Sequence, residues 1–130
     1  MKLTQGMRFR STIAPVDQEQ INCFGALHGT TSKTHTDPEY ARQSVFGGVI
    51  VQGALVMEPI FDMCTELFGG EGSGTTDVET KFIAFTRPGD QVDVEFEVVR
   101  DIPELTELSY VCSLPDGKRV VVGTITRYKR

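Results

Sequence analysis

The sequence predicts an α+β domain in which one long apolar helix packs on an antiparallel sheet. Three observations carry that expectation. Apolar residues recur at helical spacing up to about residue 68, then the period changes from 3.6 to 2. "QVDVEFEVV" (91–99) alternates strictly, with Val92, Val94, Phe96 and Val98 on one face and Asp93, Glu95 and Glu97 on the other. Turn signals, "RPGD" (87–90) and "PDGK" (115–118), punctuate four consecutive strand-like runs.

In order along the chain, "MRFRSTIAPV" (7–16) has strand composition and closes at Pro15. Asp17 is an N-cap for a helix "QEQINCFGAL", with Gln20 at the capping-box position. Ile21, Phe24 and Leu27 recur at helical spacing, and Gly29 stops the helix. A polar loop follows. "DPEYARQSV" then opens a helix on Asp37 as N-cap and Pro38 at the first helical position, broken by "FGG" (46–48). In "VIVQGALVMEPIFDMCTELFGG" (49–70), Ala54, Met57, Ile60, Phe61, Cys64 and Phe68 share a wide face. This predicts a largely buried helix over about 52–68, kinked at Pro59 and ended by Gly69 and Gly70. "TDVETKFIAFT" (76–86) alternates through Val78, Thr80 and Phe82, then Phe85. In "RPGD" the proline and glycine suit the two central positions of a type II turn. "LTELSYVCSL" and "RVVVGTITRY" read as a hairpin across "PDGK".

Length and charge narrow the class. At 130 residues the chain is one domain, 1–130, able to bury roughly two-thirds of its unfolded surface. A net charge of −5 with scattered cations lacks the basic stripe nucleic acid requires. No apolar run reaches the roughly 20 residues of a membrane span, and the N-terminus has no signal-peptide pattern. Cys23, Cys64 and Cys112 show no CxxC spacing, so reduced, buried thiols in a cytoplasmic protein are expected. "GGEGSG" (69–74) lacks the ending of a phosphate-binding loop and reads as a flexible turn.

The chemistry concentrates in "HGTTSKTHTDPEYA" (28–41), which holds both histidines of the chain. His28 and His35 have no third ligand between them, so a zinc site has weak support. By residue types alone the loop reads equally as a solvated cap on the buried helix.

The segment "INCFGALHGTTSKTHTDPEYARQSVFGGVIVQGAL" resembles the signature of the MaoC-type (R)-specific enoyl-CoA hydratases and dehydratases, which are hot-dog-fold proteins. Phe24, Gly29, His35, Asp37, Ala41, Phe46, Gly47, Ile50 and Gly53 fall in register without a gap. "FTRPGDQVDVEFEVV" resembles the family's strand–"RPGD"–strand passage.

The resemblance implies an acyl-CoA or acyl-carrier thioester substrate, no resident cofactor, and a pocket between two subunits joined edge to edge. It assigns His35 as the base or acid and the Gly53 amide as the donor that polarises the thioester carbonyl. Three positions depart from the pattern. Thr30 stands where the family has its catalytic aspartate, His28 where it has serine, and Ser32 where it has asparagine. Gln52 takes a position often held by histidine.

A hydroxyl orients water but takes no proton near neutral pH, so His28 is a candidate for the second titrating group. Thr30 is expected to face the cavity framed by His35 and Gly53. Ser32 and Gln52 are candidate substrate contacts. Three functions follow from the resemblance: a thioester lyase, a thioesterase, or a non-catalytic subunit paired with a related hot-dog chain. The assembly is then a homodimer or a hetero-oligomer.

Overall fold

The computed structural model describes residues 2–69 and 74–129. The chain runs β1 (Arg8–Ile13), α1 (Gln18–His28), α2 (Lys33–Thr36), α3 (Pro38–Gln43), α4 (Gly53–Val56), α5 (Glu58–Phe68), then β2 (Gly74–Phe82), β3 (Val92–Asp101), β4 (Leu105–Ser113) and β5 (Arg119–Lys129). The strands form one antiparallel sheet in the order β1-β3-β4-β5-β2. This is the expected α+β layering, with α5 on the inner face.

Local sequence explains most boundaries. The Asp17 carboxylate accepts from the Gln20 amide at 2.8 Å while the Gln20 side chain accepts from the Asp17 amide at 2.9 Å. That capping box satisfies two donors that an α-helix start leaves open. Gly29, at φ +75°, closes α1 in a conformation that a side chain resists. Asp37 caps α3 through the Tyr40 amide, with Pro38 in the first turn. In "RPGD" the Asp90 amide donates to the Arg87 carbonyl at 3.0 Å, and Gly89 takes φ +88°, as a type II turn requires.

The core forms where the periods meet. Val92, Val94, Phe96 and Val98 of β3 are buried, as the alternation predicted, and Leu108, Tyr110 and Cys112 continue the inner face on β4. Val56, Met57 and Ile60 press onto them from the helix side. Each such side chain contributes about 1.5–3 kcal/mol when fully buried, so this face is the main source of cohesion. Phe9 stacks on Phe96 with centroids 5.6 Å apart, which fastens β1 to the same core. Tyr110 extends across Gly123 of β5 and donates to the Glu79 carbonyl of β2 at 2.8 Å. Its hydroxyl also meets Thr80 Oγ1 at 2.6 Å. Gly123 is needed there, since an added Cβ would lie 2.0 Å from the Glu79 carbonyl oxygen.

Several expectations are corrected. The helix over 52–68 is two pieces, α4 and α5, meeting at Met57, because Pro59 lies in the first turn of α5 and lacks the donor that would continue α4. Its buried face is narrower than the apolar pattern, with Ala54 and Phe61 exposed in the single chain. The first strand ends at Ile13 rather than Pro15, and β2 ends at Phe82, before Phe85. Leu27 is 81% exposed on α1. Of the thiols, Cys112 is buried, Cys64 half-buried and Cys23 exposed. The polar loop contains a helical turn, α2. The glycine-rich turn over 69–74 lies mostly outside the described residues.

Candidate active site

His35 sits on α2, which Ser32 organises. The Ser32 carbonyl accepts from the His35 and Thr36 amides at 2.9 and 3.1 Å and from Thr36 Oγ1 at 3.1 Å. Gln18 of α1 donates to the His35 carbonyl at 2.7 Å, so the turn is pinned from both sides. The ring itself is oriented by the Ile50 carbonyl, 2.8 Å from Nδ1. A carbonyl only accepts, so Nδ1 carries the hydrogen and Nε2 of the neutral ring keeps its lone pair.

That ring lines a largely apolar pocket of 470 Å³ together with Phe46, Gly53, Val56, Phe82 and Phe85, among others. Gly53 opens α4, where the first amides of a helix have no intrahelical acceptor. The Phe82 ring packs so closely on Gly53 that an added Cβ would meet it at 2.8 Å. Phe46 and Phe85 form an edge-to-face pair at 5.4 Å on another wall. Arg87 holds that wall in place. Its guanidinium stacks 4.9 Å from the Phe85 ring and donates to the carbonyls of Phe46 and Val49. Gly48 leaves room for it, since a Cβ there would lie 2.6 Å from Arg87 Nη1.

The structure therefore brings His35 and Gly53 to one pocket, while the other candidates lie elsewhere. His28 is exposed at the end of α1, its ring 4.4 Å from that of Phe24, where an imidazole complements the helix's carbonyl end. Ser32 is exposed and its hydroxyl pairs with Thr34 at 3.0 Å. Thr30 is not among the pocket-lining residues; its hydroxyl is buried without a partner among the described residues. Gln52 is 2% exposed and turns inward, donating to the Ile21 carbonyl at 2.8 Å. Its amide nitrogen ties α1 to the start of α4, and its Oε1 is buried without a partner among the described residues.

Sequence reasoning missed Arg87, Phe82 and the Phe46–Phe85 pair as site elements. The signal was present in "KFIAFTR", an apolar run outlasting its strand and ending in a cation.

A helix wrapped by an antiparallel sheet, with a histidine-lined pocket where the helix begins, places the chain among the hot-dog proteins. Solved structures agree on the fold. The R-hydratase PhaJ1 from Pseudomonas aeruginosa is 23% identical, with a TM-score of 0.84 over 98% of this chain and 82% of that one. The (R)-hydratase from A. caviae involved in PHA biosynthesis is 23% identical, with a TM-score of 0.84 over 98% of both chains. The ChsH1-ChsH2 complex from Mycobacterium tuberculosis is 15% identical, with a TM-score of 0.82 over 99% of this chain and 100% of that one. The model of the MaoC-like domain matches residues 2–111, and the chain belongs to that family. No curated protein matches the sequence.

Proposed function

We propose that the protein is a thioester-acting lyase, hydrating an enoyl thioester or running the reverse dehydration. One observation carries this reading above the others. His35 is held through Nδ1 by the Ile50 carbonyl, which leaves Nε2 as the proton acceptor in a neutral ring, on the wall of an apolar pocket that also contains Gly53.

In the forward direction, Nε2 takes a proton from water as the water oxygen bonds to the β-carbon. The alkene electron pair moves toward the thioester carbonyl, and the Gly53 amide stabilises the enolate oxygen. The proton held on Nε2 then goes to the α-carbon, giving the 3-hydroxyacyl thioester with His35 restored. Apolar walls exclude bulk water and hold the acyl chain. The pocket's open side, with Phe82 and Phe85 55% and 40% exposed, faces a second subunit, so the assembly is at least a dimer.

A second reading has its own support. No carboxylate is among the residues lining the pocket, and Thr30 stands where the family has aspartate. A non-catalytic subunit that binds the thioester beside an intact partner fits that observation.

The test is to incubate the purified protein with crotonyl-CoA and, separately, with a saturated acyl-CoA, following enoyl absorbance and free thiol. Loss of absorbance that disappears in His35→Ala, with His28→Ala unchanged, is the expected result. Thiol release instead makes the protein a thioesterase, and silence in both assays gives the binding-subunit reading the lead.

A further inference from the structure

His35 and Gly53 belong to separate elements, yet both are fastened to one helix, α1, that lines no part of their pocket. Gln18, Ile21 and Gly25 recur at i, i+3 and i+7, so they share one face of α1. On that face Gln18 Nε2 donates to the His35 carbonyl at 2.7 Å and to Asn22 Oδ1 at 3.0 Å. Both of its amide hydrogens are engaged, which holds the side chain in one orientation. Further along the face, the Ile21 carbonyl accepts from Gln52 Nε2 at 2.8 Å, and Gln52 leads directly into Gly53. At Gly25 the helix surface is bare. A Cβ there would lie 2.8 Å from the Thr30 carbonyl oxygen and 3.4 Å from Gln52 Nε2. The glycine therefore lets both the loop after α1 and the Gln52 side chain close onto the helix.

That helix is a stiff support. Ile21 is fully buried, and the Asp17–Gln20 capping box fixes the helix start beside Gln18. Past its other end, the Thr30 amide donates to the Gly25 carbonyl at 3.0 Å. Gln52 is 2% exposed, and while its nitrogen is bonded to α1 its Oε1 has no partner among the described residues. A buried amide with an unpartnered oxygen costs stability. Cohesion does not account for it, since an apolar side chain of the same length would fill the space without that cost. What the Gln52 nitrogen holds is the backbone step into Gly53.

We infer that Gln18 and Gln52 are positioning residues, two ties to α1 that together fix the spacing between the His35 ring and the Gly53 amide. The consequence in rate rests on the lyase reading above, whereas the spacing is a property of the fold. Proton transfer and enolate stabilisation act on one substrate held between the two groups, so their separation enters the barrier directly. Neither glutamine lines the pocket, and each acts through the residue it holds.

The test replaces each tie with methionine, which keeps the length of glutamine without its polar end. The Ile21 carbonyl retains its bond within α1, and circular dichroism verifies that every variant is folded. With crotonyl-CoA, Gln18→Met and Gln52→Met should each lower kcat by about tenfold or more while KM holds. Because either cut frees the same spacing, the double variant loses no more activity than the weaker single one. Its losses in urea midpoint add, as separate changes in packing do. Gln18→Lys, which keeps a donor for the His35 carbonyl, recovers most of what Gln18→Met loses. A second readout needs no turnover. In NMR spectra, Gln18→Met should move the Gly53 amide signal, and Gln52→Met should move the His35 ring signals. If wild type leaves crotonyl-CoA unchanged, the lyase reading falls and the spectra alone decide the inference. It is overturned if each replacement moves only the signals of the residue it holds. In an active protein it is also overturned if the two losses in kcat multiply or are absent.

Discussion

Thr30 is where one residue's surroundings change an expected outcome. A carboxylate at the rim of a wet pocket would cost little, which is the expectation its place in the motif raises. Its hydroxyl is instead buried and unpartnered, so an added carboxylate enters a site short of water and donors. Thr30→Asp is therefore expected to lower stability by about 1–3 kcal/mol, seen as a lower urea midpoint. Because Thr30 does not line the pocket, the added carboxylate is expected to leave hydration of a simple enoyl-CoA unchanged. A gain in rate without loss of stability would show that the loop opens in solution.

Burial likewise sets the thiols apart. It pushes the Cys112 thiol up to about 11 and also raises the Tyr110 hydroxyl above its ordinary value. The unfolded chain gives up these protons at lower pH than the folded one. The Cys112 contribution is thus complete below the ordinary thiol value of 9.0 and is lost as pH climbs toward about 11, and the Tyr110 contribution is likewise lost on the alkaline side. Thermal melts from pH 8 upward should show that decline, with a shallower slope in Cys112→Ala. Iodoacetamide at neutral pH should modify exposed Cys23 and leave Cys112 intact until the protein unfolds.

At the scale of elements, the hinge of the design is the crossing of β4, β5 and β2. Gly123 has no side chain so that Tyr110 can pass over β5 and reach Thr80 and the Glu79 carbonyl. A Cβ there would strike both a backbone oxygen, at 2.0 Å, and the tyrosine hydroxyl, at 2.3 Å. Neither can retreat cheaply, so Gly123→Ala should destabilise the domain by about 1–3 kcal/mol or more. Gly53 is the contrasting case. A Cβ there meets only the half-exposed Phe82 ring, which can swing aside. Gly53→Ala should keep the melting temperature near wild type while weakening acyl-CoA binding, measured by titration calorimetry. The Met57 break belongs at this scale too. It separates α4, whose start at Gly53 lies on the pocket, from α5, which buries Ile60 in the core.

For the whole molecule, Phe61, Phe82, Ile83 and Phe85 stand exposed in the single chain, apolar surface that a second subunit would cover. Sedimentation at micromolar concentration should find at least a dimer, and a stable monomer would contradict the assembly directly. Dilution should then lower the melting temperature, since the partner stabilises only the folded chain.

Sequence by itself determined much of the architecture. The alternation of β3, the Asp17 capping box, the Asp37–Pro38 helix start and the "RPGD" turn are each encoded within about four residues of one another. The layering follows from the change of period, which leaves each element one apolar face to bury. His35 and Gly53 were legible because they stand in register with a family motif. Tertiary structure decided the rest. It buried the Thr30 hydroxyl, drew Gln52 to the Ile21 carbonyl and set Arg87 against Phe46. Those contacts join residues as far as 31 and 41 positions apart, between elements whose mutual placement is set by packing the whole core. Local propensity fixes which face a residue takes on its own helix or strand. Only the closed sheet determines what stands opposite that face.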